Sequence, residues 1–358
     1  MAYRVLIIGY TGLGNFILKE PMISKIKALD PTSVVDVLIG EKYGVAEIAN
    51  EIHSVDNVIF LSERGGAIHK LAYFWSLRKH EYDAVLVAFD VMRVFVALGL
   101  ALLGGKKTVV HYRMIDFIGY RVKKRLLDII VPNLVFQSVG RECHESKLNL
   151  QLLKAAGLAF DPVETQPRLP ARSPTTTFID SLGLSNARIV LVQPGAANGA
   201  LSAKIWGIEN FLVLVDALYE NIKDIQVVLV GDKGDQASLK DSELLKRADV
   251  LNLLGKTDLT QLLDLVSLAE IVIAHDSGIM HIANALDKKM VALYGPTDHA
   301  RTKPLGDNVR FVFSKNECFG AMNYFAIDEI SLAKKYPDSF CMSGISVEDV
   351  MTEVKALL

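Results

Sequence analysis

Short apolar, β-branched runs alternate with longer stretches in which apolar positions recur every three or four residues, and the alternation persists along the chain. In the first half the short runs predict buried strands at 4–8, 34–39, 58–61, 84–88 and 107–110, with helices over 15–29, 67–79 and 91–103. Nearly continuous apolar strands joined through helices imply a parallel sheet covered on both faces. Residues 160–177 break the rhythm with Pro162, Pro167, Pro170 and Pro174, which remove backbone donors and fix φ, so this stretch reads as a linker. After it come strands at 189–193, 226–230, 250–253, 271–274, 290–294 and 309–313, and helices at 208–221, 237–248, 259–268, 280–286 and 347–357. The expected division is a first domain over 1–165, a second over 166–345, and a closing helix in 346–358 that can pack back on the first domain. Both domains are expected to be α/β, doubly wound and Rossmann-like.

Composition adjusts this picture in a few places. A chain of 358 residues, 51% hydrophobic and 22% charged, has material for two cores and does not read as disordered. The net charge of −2 excludes a basic protein built to coat nucleic acid. Cys143, Cys318 and Cys341 show no C-x-x-C spacing, so no zinc site or disulfide framework is expected, and Cys318 and Cys341 read as buried free thiols. The start of the chain lacks the basic, apolar and small-residue regions of a secretory signal, and the longest apolar segment, 94–105, is shorter than the roughly 20 residues of a spanning helix. A cytoplasmic protein is expected, with room for peripheral contact on the inner face of the cytoplasmic membrane.

Ligands of open parallel sheets bind outside the carboxyl ends of the strands, so chemistry is sought at strand-to-helix junctions. The most informative junction is I-V-I-A-H-D-S-G-I-M-H (271–281), where a strand ends, Asp276, Ser277 and Gly278 follow, and a helix starts. Helix N–H groups and the macrodipole attract a phosphate there, Gly278 permits close approach, and His281 falls on the first turn. The competing reading makes Asp276 or Ser277 a helix cap and His281 a core residue. Two further junctions place polar groups at the same edge: the stretch from Tyr294 to Gly306, and Q-P-G-A-A-N-G-A-L-S-A-K-I-W (193–206), whose Lys204 can neutralise a diphosphate leaving group or, in the competing reading, is a solvated surface lysine.

Taken in order, P-G-A-A with A-K-I-W (194–197, 203–206), L-G-K-T-D-L (254–259), H-D-S-G-I-M-H-I-A (275–283), A-L-Y-G-P-T-D with A-R-T (292–298, 300–302) and C-M-S-G-I-S-V-E-D-V (341–350) resemble the glycosyltransferase family that contains the lipopolysaccharide heptosyltransferases. G-L-G-N-F-I-L near the start and H-E-S-K-L-N-L-Q-L-L before the linker are also similar to that family. The resemblance implies a GT-B fold, two Rossmann-like domains facing each other across a cleft. It also implies inverting transfer without a metal or cofactor, an ADP-sugar or similar nucleotide-sugar donor, and an anionic glycolipid or oligosaccharide acceptor such as lipopolysaccharide core. Carried onto matching positions, Asp276, Ser277, Gly278 and His281 would hold the diphosphate and Lys204 would assist the leaving group. Gly195, Ala196, Ala197 and Thr257 would border the nucleotide, while Asp232 or Asp235 would reach toward the ribose.

The chain departs from the family at the first strand-to-helix turn. Glycine-aspartate is common there, and the aspartate looks like the general base for the acceptor hydroxyl; this chain has Gly14-Asn15. An amide orients a hydroxyl but does not take its proton. Either another group serves, or the acceptor differs, or catalysis is weak or absent. Asp90 is the nearest carboxylate expected at the same sheet edge, its competing role being a helix cap. Gly12 and Gly14 would line the acceptor side. Arg113, Arg121, Lys123 and Lys124 would meet anionic groups of the acceptor or a membrane surface, or form a solvated helix face. Two rivals stay open: an epimerase on the same architecture, and a family member that binds nucleotide or glycan without transfer.

Overall fold

A computed structural model describes residues 2–41, 44–62, 66–87, 94–112, 125, 128–131, 133–138, 143–161, 164–195, 202–322, 329–336 and 339–358. The chain divides into two compact units, Met1–Pro170 and Ala171–Leu358, so the division falls inside the proline-rich stretch.

The first unit runs β1 (Arg4–Ile8), α1 (Leu13–Ile17), α2 (Glu20–Leu29), β2 (Val34–Gly40), α3 (Val45–Glu51), β3 (Asn57–Leu61) and α4 (Ala67–Ser76), which a 3₁₀ turn (Leu77–His80) extends. It continues with β4 (Ala84–Val87), α5 (Val94–Leu103), β5 (Thr108–Tyr112), β6 (Leu134–Ser138) and α6 (Glu145–Ala156). Its sheet has the order β3-β2-β1-β4-β5-β6 with every pairing parallel. The chain therefore reverses its direction of travel across the sheet between β1 and β4. Leu6, Ile8, Leu38, Val85 and Val87 from the strands pack with Phe74, Leu77, Leu100 and Leu103 from the helices.

The helix expected over 15–29 is two helices. Pro21 sits in the first turn of α2, where its missing N–H costs nothing, and a turn separates it from α1. Strand β6 and helix α6 extend the unit beyond the strands expected. In α6 the apolar period is interrupted by Asn149, which is buried and donates to the Leu18 carbonyl oxygen at 3.0 Å.

The second unit begins with α7 (Thr176–Ser181), β7 (Arg188–Val192), a 3₁₀ turn (Ser202–Lys204), α8 (Ile208–Asn221), β8 (Ile225–Leu229), α9 (Lys233–Leu239), α10 (Glu243–Lys246) and β9 (Leu251–Asn252). There follow α11 (Leu259–Leu268), β10 (Ile271–His275), α12 (Gly278–Ala285), β11 (Met290–Tyr294), α13 (His299–Thr302), β12 (Val309–Phe313), α14 (Glu329–Lys335), a 3₁₀ turn (Phe340–Met342) and α15 (Val347–Leu357). The sheet is again parallel, ordered β12-β11-β10-β7-β8-β9, and its reversal lies between β7 and β10. Where one expected helix covers 237–248 there are two. A capping box between Asp232 and Asp235 starts α9 early, and Ser242 begins α10.

Helix α15 lies on α8, β11 and β12 of the second unit. Its apolar stripe, Val350, Met351 and Val354, completes the core formed by Leu214, Val215, Val291 and Val312. Cys318 and Cys341 are not free thiols but a disulfide, their Cα atoms 5.6 Å apart across a sequence separation of 23. The fold returns the 3₁₀ turn of Phe340–Met342 to residue 318, a proximity that residue spacing does not reveal. The bridge lies in a small apolar cluster with Ala203 and Leu332.

Candidate functional site

The reversal point of the second sheet places the ends of β7 and β10 side by side, the position at which doubly wound sheets open a crevice for a ligand. His275, the last residue of β10, is fully buried and joins the segments there. Its Nδ1 lies 2.9 Å from the Gly195 carbonyl oxygen, and its Nε2 accepts from the Trp206 backbone N–H at 3.1 Å. A carbonyl only accepts, so Nδ1 carries the proton and the imidazole is neutral. Burial, assisted by the positive charge of Lys204, pushes its pKa down to about 4. Phe211 meets the ring edge-on at 5.4 Å.

His275 thus ties both ends of the 193–206 loop to β10 and brings Lys204, two residues before Trp206, to the carboxyl edge. Lys204 Nζ lies 4.0 Å from Asp276 Oδ2, and His281 Nε2 lies 4.0 Å from Asp276 Oδ1. These are ion-pair distances, longer than hydrogen bonds. One carboxylate is therefore flanked by an ammonium and an imidazole, and Asp276 and Lys204 keep partial exposure.

The cap reading for Ser277 is only half correct. Ser277 occupies the N-cap position of α12, but its hydroxyl does not cap the helix and instead donates to Gln193 Oε1 at 2.5 Å. The first intrahelical bond is His281 N–H to the Ser277 carbonyl oxygen. The N–H groups of Gly278, Ile279 and Met280 thus begin the helix without a side-chain cap, beside Lys204 and His281. Uncapped N–H groups, a helix N-terminus and an ammonium constitute an anion-binding arrangement.

Neighbouring loops complete the edge. Tyr294 closes β11 and is fully buried, its hydroxyl donating to Met280 Sδ at 3.4 Å. Burial and the Asp276 charge hold its phenol well above the ordinary range, so it stays protonated. On the other side, Gly195 lies against Asp235, where an added Cβ would meet Asp235 Oδ1 at 2.1 Å. Asp235 is buried, and its Oδ2 accepts the Asp232 N–H in the capping box that starts α9. Thr257 follows β9 along the same carboxyl edge, two strands from β7, and is half-buried.

In the first unit Gly12 is the N-cap of α1, and Gly14 and Asn15 fall inside that helix, just past the end of β1. The Asn15 carbonyl oxygen accepts from the buried Lys19 ammonium at 3.0 Å, which pins the turn. The segment after β4, the other side of that sheet's reversal point, contains Asp90 and lies outside the described residues, as do Ala196, Ala197, Arg113, Arg121, Lys123 and Lys124. His275, Gln193 and Tyr294 were not singled out in the sequence. All three sit at the ends of apolar strands, where a polar or aromatic residue in a buried position is the available signal.

Residues 71–325 match the family model of glycosyltransferase family 9 (heptosyltransferase). The lipooligosaccharide heptosyltransferase 2 of Haemophilus ducreyi is 26% identical over 314 residues, 84% of this chain and 86% of that protein. Among solved structures, E. coli ADP-heptose lps heptosyltransferase II superposes with a TM-score of 0.74 at 21% identity, over 99% of this chain and 98% of that one. E. coli heptosyltransferase WaaC with ADP-2-deoxy-2-fluoro heptose does so with 0.69 at 18% identity, over 99% and 100%. These superpositions place the two doubly wound sheets in the GT-B fold class, and the match of the family model across most of the sequence shows that the chain belongs to glycosyltransferase family 9, the heptosyltransferases.

Proposed function

We propose that the protein transfers a sugar, heptose or a close relative, from an ADP-sugar to a lipopolysaccharide core or related anionic glycan, with inversion and without a metal. The carrying observation is the grouping of Lys204, Asp276 and His281 around the uncapped start of α12 at the reversal point of the second sheet. The family relative solved with an ADP-sugar analogue supports a donor of this class.

In this reading the diphosphate lies on the N–H groups of Gly278 to Met280, with Lys204 against its outer oxygens and Gly195 and Thr257 toward the nucleotide. His281 adds a ring nitrogen to the diphosphate site, and Asp276, between Lys204 and His281, holds both toward it. The acceptor oxygen attacks the anomeric carbon, the bond from that carbon to the phosphate oxygen breaks, and ADP leaves with its new charge met by Lys204 and the helix terminus. The hydroxyl proton passes to a base that Asn15 cannot be, so Asn15 orients the hydroxyl. Asp90 is the proposed acceptor of the proton. The site of action is the inner face of the cytoplasmic membrane, where such acceptors are anchored.

A second reading, nucleotide or glycan binding without transfer, is favoured by Asn15 alone. Titration calorimetry with ADP, UDP and GDP on the wild type, Asp276→Ala and His281→Ala tests the donor site. Selective ADP binding, weakened by both substitutions, is expected. Folded protein that binds no nucleotide would overturn the assignment, and ADP-sugar that is bound but left intact with every acceptor would establish the second reading.

A further inference from the structure

Helix α4 carries more apolar surface than its core can take. Its inner side sends Phe74, and Leu77 from the 3₁₀ extension, into the cluster with Val85, Leu100 and Leu103. Helix α5 closes tightly over that side, since a Cβ on Gly99 would meet the Phe74 ring at 2.4 Å. On the opposite side Ile68 is 80% exposed and Trp75 56% exposed. Positions i, i+4 and i+7 share a helix face, so Ile68, Ala72 and Trp75 form one stripe, and Ala72 is exposed as well. An exposed isoleucine and tryptophan aligned along one helix mark an interaction surface more strongly than apolar residues scattered singly.

Charge identifies what the stripe meets. From Gly66 to His80 the segment contains Lys70, Arg78 and Lys79 and no carboxylate. Arg78 and Lys79 are exposed at the C-terminal end, and the Arg78 guanidinium sits 5.2 Å from the centroid of the Trp75 ring. The cation thus rides directly on the apolar face. Isoleucine and tryptophan edged by lysine and arginine is the composition of helices that lie in a membrane interface, with the apolar side at the acyl boundary and the cations among anionic headgroups. A second copy of the chain fits less well, because across a two-fold contact through this stripe Lys70, Arg78 and Lys79 would find no carboxylate between Gly66 and His80 of the other copy. A ten-residue helix with a 3₁₀ extension lies in the plane, and among the described residues no helix is long and apolar enough to cross a membrane.

We propose that the outer face of α4, Ile68, Ala72 and Trp75 with Arg78 and Lys79, docks the protein on an anionic phospholipid bilayer. This docking is independent of the donor-site reading. It would hold the first unit at the surface in which a lipid-linked acceptor is embedded.

The test is co-sedimentation of the full chain with phosphatidylcholine vesicles, with and without phosphatidylglycerol. Binding is compared for the wild type, Ile68→Ser/Trp75→Ser and Arg78→Glu/Lys79→Glu, with ADP affinity and thermal unfolding measured on each. Binding to the anionic vesicles that weakens on the order of tenfold or more in either double variant is expected. Unfolding and ADP affinity should stay at wild-type values. Trp206 is fully buried, so a vesicle-induced blue shift in tryptophan emission reports Trp75, and Trp75→Phe should bind while losing the shift. Wild-type protein that ignores anionic vesicles, or double variants that bind as wild type does, would overturn the proposal. So would concentration-dependent self-association abolished by Ile68→Ser/Trp75→Ser in the absence of vesicle binding, which would assign the stripe to a second copy. Loss of ADP binding in the wild type alongside normal vesicle binding would refute the donor site and leave the docking surface standing.

Discussion

His275 Nε2 accepts the backbone N–H of Trp206 at 3.1 Å while its Nδ1–H donates to the Gly195 carbonyl oxygen at 2.9 Å. One buried neutral imidazole therefore sets both ends of the loop that carries Lys204. His275→Asn keeps a donor toward Gly195 and loses the acceptor for Trp206, and unfolding should show a loss of roughly 1–3 kcal/mol. The folded pKa of about 4 lies below the unfolded value of 6.5, so the unfolded chain binds the extra proton between them. Stability from this residue is complete above pH 6.5 and is lost as pH falls toward 4, by roughly 3 kcal/mol at most. Denaturant unfolding across that window should give a shallower acid slope for His275→Asn than for the wild type, and parallel slopes would contradict the assignment.

Asn15 stands just past the end of β1, where an acceptor hydroxyl would be oriented and not deprotonated. Asn15→Asp supplies a carboxylate at that point. If the position is the site of proton transfer, kcat should rise, by as much as ~10²-fold, with little change in donor KM. A rate that stays flat, together with a collapse in Asp90→Asn, would place the base at residue 90.

The Cys318–Cys341 bridge packs against Ala203, next to Lys204. Cys318→Ser opens a loop of 23 residues and should lower stability by about 3 kcal/mol in the chain-entropy account. The same substitution should weaken ADP binding severalfold by loosening the turn that presents Lys204. A thiol reductant should bring the wild type to the level of the variant and leave the variant unchanged. ADP affinity insensitive to both treatments would separate the bridge from the site.

Gly195 has no room for a side chain, because Asp235 stands where its Cβ would be. Gly195→Ala should cost about 1–3 kcal/mol through overpacking and reduce ADP affinity, since the His275 hydrogen bond depends on the same carbonyl. Asp235→Ala gives up the reciprocal half of the α9 capping box, the bond from the Asp232 N–H to Asp235 Oδ2, yet Gly195→Ala/Asp235→Ala should be less destabilised than the two single losses summed. Additive losses, read from thermal unfolding, would show that the two residues do not compete for space.

The alternation of apolar runs and helical periods was enough to read two doubly wound parallel units from the chain, because strands buried on both faces must be apolar throughout. The motif around Asp276, Ser277, Gly278 and His281 was legible for a related reason: it is local, falling within one strand-to-helix turn. Elements governed by distant contacts were not. Asn149 sits in α6 because Leu18, far away in sequence, offers its carbonyl oxygen, and that polar position obscures the helix's apolar period. Helix α15 carries a clear period, but only packing decides that α8, β11 and β12 receive it. The pairing of Cys318 with Cys341, the hydrogen bonds of His275 to two backbone groups and the turn of Ser277 toward Gln193 are likewise facts of proximity. Sequence alone determined which residues were apolar, which turns could hold an anion and which family the chain resembles. The tertiary structure decided which side chains share those turns, because a hydrogen bond or disulfide depends on separations of a few ångströms that only the completed fold sets.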